Sequence, residues 1–232
     1  MQIAAHLGYL WADRPVAEAI PLAAAAGFGA FEIHAPYDQD QAEIRAALID
    51  AGRPMLGVNT RRAHSADSDD FGLTALPGRE HEAQDLILEA IDWARALGAA
   101  HIHVLAGKTS GPEAAATFDA NLMWACGQAA KAGVGLVLEP LNTRDNPGYF
   151  LSTTTHAAEI IRRINRPDRG NGTVSNQCIP DRGDSFCLLA GLCGRLPGLD
   201  ILDRAQKNIR VIKQVLFNNA LDFGFLFSAQ AI

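Results

Sequence analysis

At four points a helical run closes on a glycine and an apolar stretch follows at once. They are AAAAGFGAFEIH around Gly27, LIDAGRPMLGVN around Gly52, ARALGAAHIHVL around Gly98 and AAKAGVGLVLEP around Gly133. Glycine just past a helix takes the left-handed conformation that ends it. The short apolar stretches, flanked by these breaks, predict buried strands. The glycines stand 25, 46 and 35 residues apart, about one strand–helix unit each. Strands separated by helices pair in parallel.

The intervening segments carry a helical period. From Glu82 to Leu97 the apolar positions Leu86, Ile87, Ala90, Ile91, Ala94 and Leu97 form one face, with Glu82, Asp85, Glu89, Asp92 and Arg95 between them. A second amphipathic stretch runs from Pro112 to Lys131, with proline suited to a first helical position. A third runs from about Pro15 to Ala26. With a first strand at Ile3 to Leu7, five βα units are complete by residue 164.

An open doubly wound sheet and a (β/α)8 barrel both fit this pattern. A dinucleotide-binding open sheet usually carries a glycine-rich turn after its first strand. Here that turn, HLGYLWADRP, has a single glycine. Polar residues gather at the C-terminal ends of all five strands: His6, Glu32 and His34, Asn59, His101 and His103, and Glu139. An open sheet binds at one crevice, whereas a barrel uses every strand end. The expected fold class is therefore α/β, a (β/α)8 TIM-barrel type.

Composition narrows the function. The chain has 232 residues, 48% apolar and 20% charged, with a net charge of −6. These are globular values, and the acidic balance disfavours nucleic acid as a partner. No apolar run approaches a membrane span. The N-terminus lacks the basic start of a signal peptide, and the four cysteines form no CxxC. A reduced, cytoplasmic protein is expected.

Glu139 closes the buried run GVGLVLE, where a carboxylate is costly unless paired or metal-bound. It is read either as a buried ion pair, for example with Arg144, or as a metal ligand or general base. His101 and His103, two apart on one strand, face the same side and could bind a metal or hydrogen-bond within the barrel wall. His103 is nearer the strand end and is the stronger site candidate. His6 and Asn59, at the ends of the first and third strands, are expected to contact substrate. A 17-residue loop, Thr60 to Leu76, follows the third strand, and Arg79 stands near the next helix start. Arg79 could clamp a substrate carboxylate bidentately or remain solvated. His34-Ala35-Pro36-Tyr37 could serve the site or only shape a turn.

The run Phe71-Gly-Leu-Thr-Ala-Leu-Pro-Gly-Arg-Glu-His-Glu-Ala83 resembles the loop-and-helix signature of the hydroxypyruvate isomerase family. Ala35-Pro-Tyr37, His103-Val-Leu-Ala-Gly107 and Leu138-Glu-Pro-Leu-Asn-Thr-Arg-Asp-Asn-Pro-Gly-Tyr-Phe-Leu151 are similar to its strand ends. The resemblance covers residues 1 to about 168 and implies a xylose-isomerase-like barrel. It implies an isomerase interconverting hydroxypyruvate and tartronate semialdehyde through an enediolate, or one acting on 2-oxo-tetronates. It further implies a divalent metal, Mg²⁺ or Mn²⁺, with Glu139 as ligand and proton-shuttling base. Arg79 would then hold the carboxylate of a small sugar-acid substrate.

The pattern changes after Asp168. Residues 1–159 hold 10 Lys+Arg against 20 Asp+Glu, while residues 160–232 hold 10 against 6 and contain neither Glu nor His. The family's sixth-strand Asp-x-x-His and final Glu-Tyr-Lys-Pro-Arg-Gly segments have no counterpart. The sequence thus divides into a barrel portion, 1–168, and a divergent segment, 169–232, with the barrel incomplete or altered after the fifth unit. Unpaired strand edges there would favour self-association, so a homo-oligomer is one expected state. The competing reading is a non-catalytic remnant, truncated or frameshifted, without a complete metal site. A metal-dependent nuclease on the same barrel would want a basic groove, which the acidic first segment argues against.

Overall fold

The structure is a computed structural model that describes residues 4–63 and 70–164, together with the backbone of two later strands, 174–178 and 188–190. The strands are β1 (Ala4–His6), β2 (Ala30–Ile33), β3 (Met55–Asn59), β4 (His101–His103), β5 (Gly135–Leu138), β6 (Val174–Cys178) and β7 (Leu188–Ala190). The helices are α1 (Val16–Ala25), α2 (Gln41–Ala51), α3 (Glu80–Leu97), α4 (Pro112–Ala132) and α5 (Thr154–Ile164). The expected boundary at residue 168 lies outside the described residues.

The strands lie in one sheet in consecutive order, β1 to β7, and β1 to β6 are all parallel. A doubly wound sheet reverses its strand order at a switch point. The order here does not reverse. Each helix also packs on the next, α1 on α2 through to α4 on α5, as a ring on one side of the sheet requires. β7 pairs antiparallel to β6, where an unaltered eight-stranded barrel would have a parallel strand.

Alternation along each strand sorts the two faces. Ala5, Phe31, Val58, Ile102 and Leu136 are buried beneath the helices with Ile20, Ile87, Phe118 and Ile160. The intervening positions form the other face. His6, Glu32, Gly57, His101 and Gly135 are register partners in one row. Asn59 and His103 are partners in the row nearer the strand C-termini. Period-two geometry therefore puts the polar residues of all five strands on one interior face.

The helix ends follow their glycines. Gly52, Gly98 and Gly133 cap α2, α3 and α4 with φ of 59°, 67° and 70°. Asp40 caps the start of α2, its side chain accepting from the amides of Ala42 and Glu43 at 2.8 and 3.1 Å. Pro21 sits inside α1 and withholds one helical hydrogen bond. Among the described residues, no helix is long and apolar enough to cross a membrane.

Candidate active site

Glu139 follows β5 directly and returns toward β4. Its Oε2 lies 3.3 Å from His103 Nδ1, and the two side chains are 15% and 4% exposed. The contact misses hydrogen-bond geometry, and neither ring nitrogen of His103 has a hydrogen-bond partner among the described residues. Burial pushes the His103 imidazole down to about 3, and His34, His101 and His6 add to the shift. His103 is therefore neutral at ordinary pH beside Glu139. Arg144, the alternative partner for Glu139, pairs with Asp145 at 3.1 Å.

A second pair lies one row lower. His101 Nε2 is 3.9 Å from Glu32 Oε1, a buried oxygen without a hydrogen bond. Burial raises the Glu32 carboxyl to about 7 and lowers His101 to about 4. His6 and His34 meet at the neighbouring strand ends, their tilted rings 4.1 Å apart between centroids. His6 Nδ1 accepts from the Gly8 amide at 3.1 Å. Burial, then the neighbouring His34, lowers His6 to about 3. Burial, then Arg62, lowers His34 to about 4.

The quoted loop motifs interlock around these residues. Thr60 Oγ1 accepts from the Leu105 amide at 3.0 Å, tying the end of β3 to the segment after β4. Gly72 and Gly107, both at positive φ, meet where the long loop crosses that segment. A Cβ on Gly72 would come within 2.5 Å of the Leu105 oxygen, and one on Gly107 within 2.5 Å of the Gly72 oxygen. Only glycine allows this crossing. Tyr149 is buried, and its hydroxyl accepts from the Ala106 amide at 2.9 Å. Burial holds its phenol well above the usual range, with the charge of Glu139 adding to the effect. Tyr149 also lines a cavity of about 730 Å³ with Lys108, Ser110, Gly111 and His156.

The sequence candidates thus divide. His6, Asn59, His103 and Glu139 stand at or just past the C-terminal ends of β1, β3, β4 and β5. Asn59 is the cross-strand neighbour of His103. Arg79 is ion-paired: its Nη1 lies 2.5 Å from Asp70 Oδ2 and its Nη2 2.8 Å from Glu82 Oε2. Tyr37 shapes the wall, its hydroxyl donating to the Asn59 carbonyl and its ring packing on Trp93 at 5.6 Å. Tyr149 was not singled out in the sequence; its signal was its place in the motif that begins at Leu138.

A divalent ion needs several convergent donors. Among the described residues no group of three or more His, Cys, Asp or Glu could hold one. Glu139 and His103 alone do not make up such a site, and further donors would have to come from outside the described residues.

The family model described as a xylose isomerase-like TIM barrel matches residues 20–170. The 2-oxo-tetronate isomerase of Cupriavidus necator is 35% identical over 167 residues, covering 70% of this chain and 64% of that protein. The hydroxypyruvate isomerase of Escherichia coli (strain K12) is 32% identical over 165 residues, covering 69% and 64%. A crystal structure described as AP endonuclease, family 2, from Brucella melitensis superposes with a TM-score of 0.69 at 32% identity, covering 76% of this chain and 68% of that one. The chain spans about 64% of the length of the curated relatives it matches. By the family model and the consecutive parallel strands with their ring of helices, the chain belongs to the xylose isomerase-like TIM barrel family.

Proposed function

We propose that the protein is an isomerase of small 2-oxo sugar acids that interconverts hydroxypyruvate and tartronate semialdehyde. The observation that carries this reading is Glu139, a poorly exposed carboxylate at a barrel strand end, 3.3 Å from a neutral buried imidazole. Relatives bearing the names hydroxypyruvate isomerase and 2-oxo-tetronate isomerase support it.

The chemistry asks little of the protein. The Glu139 carboxylate takes a proton from C3 of hydroxypyruvate, and the electron pair moves to give a C2–C3 enediolate. The proton returns at C2 while the C3 hydroxyl passes its own proton to the C2 oxygen, leaving an aldehyde at C3 and a hydroxyl at C2. Atoms and charge balance without an oxidant. His103 lies beside Glu139 at the strand mouth without neutralising it. His6 and Asn59 offer polar contacts to the substrate oxygens. A divalent metal, Mg²⁺ or Mn²⁺, is part of the proposal only as a group that Glu139 would help to hold with donors outside the described residues.

The test is to express the full chain and follow tartronate semialdehyde formation from hydroxypyruvate, with and without Mn²⁺. Turnover above about 1 s⁻¹ supports the reading. No turnover on hydroxypyruvate or a 2-oxo-tetronate overturns it in favour of a non-catalytic chain. The longer acid is kept as a second substrate because its named isomerase is 35% identical to this chain.

A further inference from the structure

The geometry points to Arg62 as the residue that binds the substrate carboxylate and so sets the preference for acids over neutral sugars. This rests on the proposed isomerase reading and names the group it leaves unassigned. Arg62 follows the end of β3 by three residues, and its carbonyl accepts from the Gly72 amide at 2.7 Å. Its guanidinium lies 4.1 Å from the centroid of Phe71, which is held at φ 53°, a conformation seldom adopted by a bulky side chain. Phe71 packs edge-on against Tyr149, with centroids 6.0 Å apart. Tyr149 reaches the neighbourhood of Glu139, and Arg62 that of His34, closely enough for charge on one to act on the other.

The other arginines of this loop region are committed. Arg61 lies 2.9 Å from Glu89 and 3.0 Å from Asp38. Arg79 is paired with Asp70 and Glu82. Arg62 is exposed and makes no ion pair among the described residues. An arginine stacked on an aromatic ring keeps its planar fork pre-organised, and that fork matches a carboxylate bidentately. The Phe71 ring, set by that backbone, is the face on which the guanidinium lies.

D-glycerate serves as a non-reacting three-carbon acid and dihydroxyacetone as its neutral counterpart. Both are titrated into the full chain by calorimetry, for wild type, Arg62→Gln, Arg62→Lys and the surface control Arg95→Gln. Arg62→Gln is expected to weaken glycerate binding about 10-fold or more, with Arg62→Lys intermediate and Arg95→Gln like wild type. Dihydroxyacetone binding should not change. Equal glycerate affinity in Arg62→Gln and wild type, or no glycerate binding by wild type, overturns the assignment. The isomerase reading fails separately, through absent turnover by a wild type that binds glycerate normally.

Discussion

His101 and Glu32 meet across a strand that has no side chain between them. Nε2 and Oε1 lie 3.9 Å apart, and the residue of β3 in register with both is Gly57. The imidazole occupies the space a side chain at 57 would fill. The pair is nevertheless incomplete, because Glu32 Oε1 is buried without a hydrogen bond. A carboxyl in that state favours its proton.

The first consequence is a pH-dependent stability. The Glu32 carboxyl is raised from 4.5 to about 7 by burial. The folded state therefore binds a proton that the unfolded chain releases between these values. Its contribution is present below pH 4.5 and is lost as pH rises to about 7. Glu32→Gln mimics the protonated form, so it should gain about 3 kcal/mol relative to wild type between pH 4.5 and pH 8. Chemical denaturation of both proteins at the two pH values measures this. A pH-independent difference would show that Glu32 is ionised in the fold. The histidines act oppositely: with His6, His34, His101 and His103 lowered from 6.5 to between about 3 and 4, their contribution is lost as pH falls below 6.5.

Gly57→Ala tests the packing directly. A Cβ there would come within 2.6 Å of His101 Cδ2, so the ring must move. Overpacking of this kind costs about 1–3 kcal/mol. The same substitution in a His101→Ala background should cost little, because the clashing ring is gone. Additive losses in that double-mutant cycle would separate Gly57 from His101.

The sequence carried the parallel βα order because glycine breaks and apolar runs are local signals. It carried His103 and Glu139 because a polar residue ending an apolar strand is conspicuous. It did not carry their 3.3 Å approach, since Glu139 reaches across from β5 to β4. Nor did it carry the commitment of Arg79. The helix-start position was readable, but Asp70 lies nine residues back across a loop whose path depends on the Gly72–Gly107 crossing. The antiparallel β7 departs from the barrel pattern in the segment whose composition changes, yet composition alone could not give its direction.

Arg79 is expected to contribute to the loop more than to substrate. Its guanidinium is bidentate to Glu82, at 2.9 and 2.8 Å, and bridges to Asp70. Arg79→Gln should cost about 1 kcal/mol, the scale of a partly exposed pair, and loosen the segment around Asp70. Denaturation midpoints and hydrogen exchange at residues 70–79 read this out. A 10-fold rise in KM with unchanged stability would assign Arg79 to the substrate carboxylate.

Glu139 is the residue on which the proposed chemistry turns. Glu139→Gln keeps the side-chain volume and removes both the base and the negative charge. General-base catalysis contributes about 10²- to 10⁴-fold, so turnover of hydroxypyruvate should fall by at least about 10². KM should change little if Glu139 acts on the reacting carbon and not on the carboxylate. His103→Gln should have a smaller effect of the same sign, because it loosens the placement of Glu139 and leaves the base present; a displacement near 1 Å can cost about 10²-fold. Mn²⁺ titrations of the full chain and of Glu139→Gln give a second readout independent of turnover. A ligand role predicts weaker metal binding in the variant, while a role as base alone predicts unchanged binding. Near-wild-type turnover in Glu139→Gln would remove it from the chemistry and leave its burial beside His103 as a structural feature of the barrel mouth.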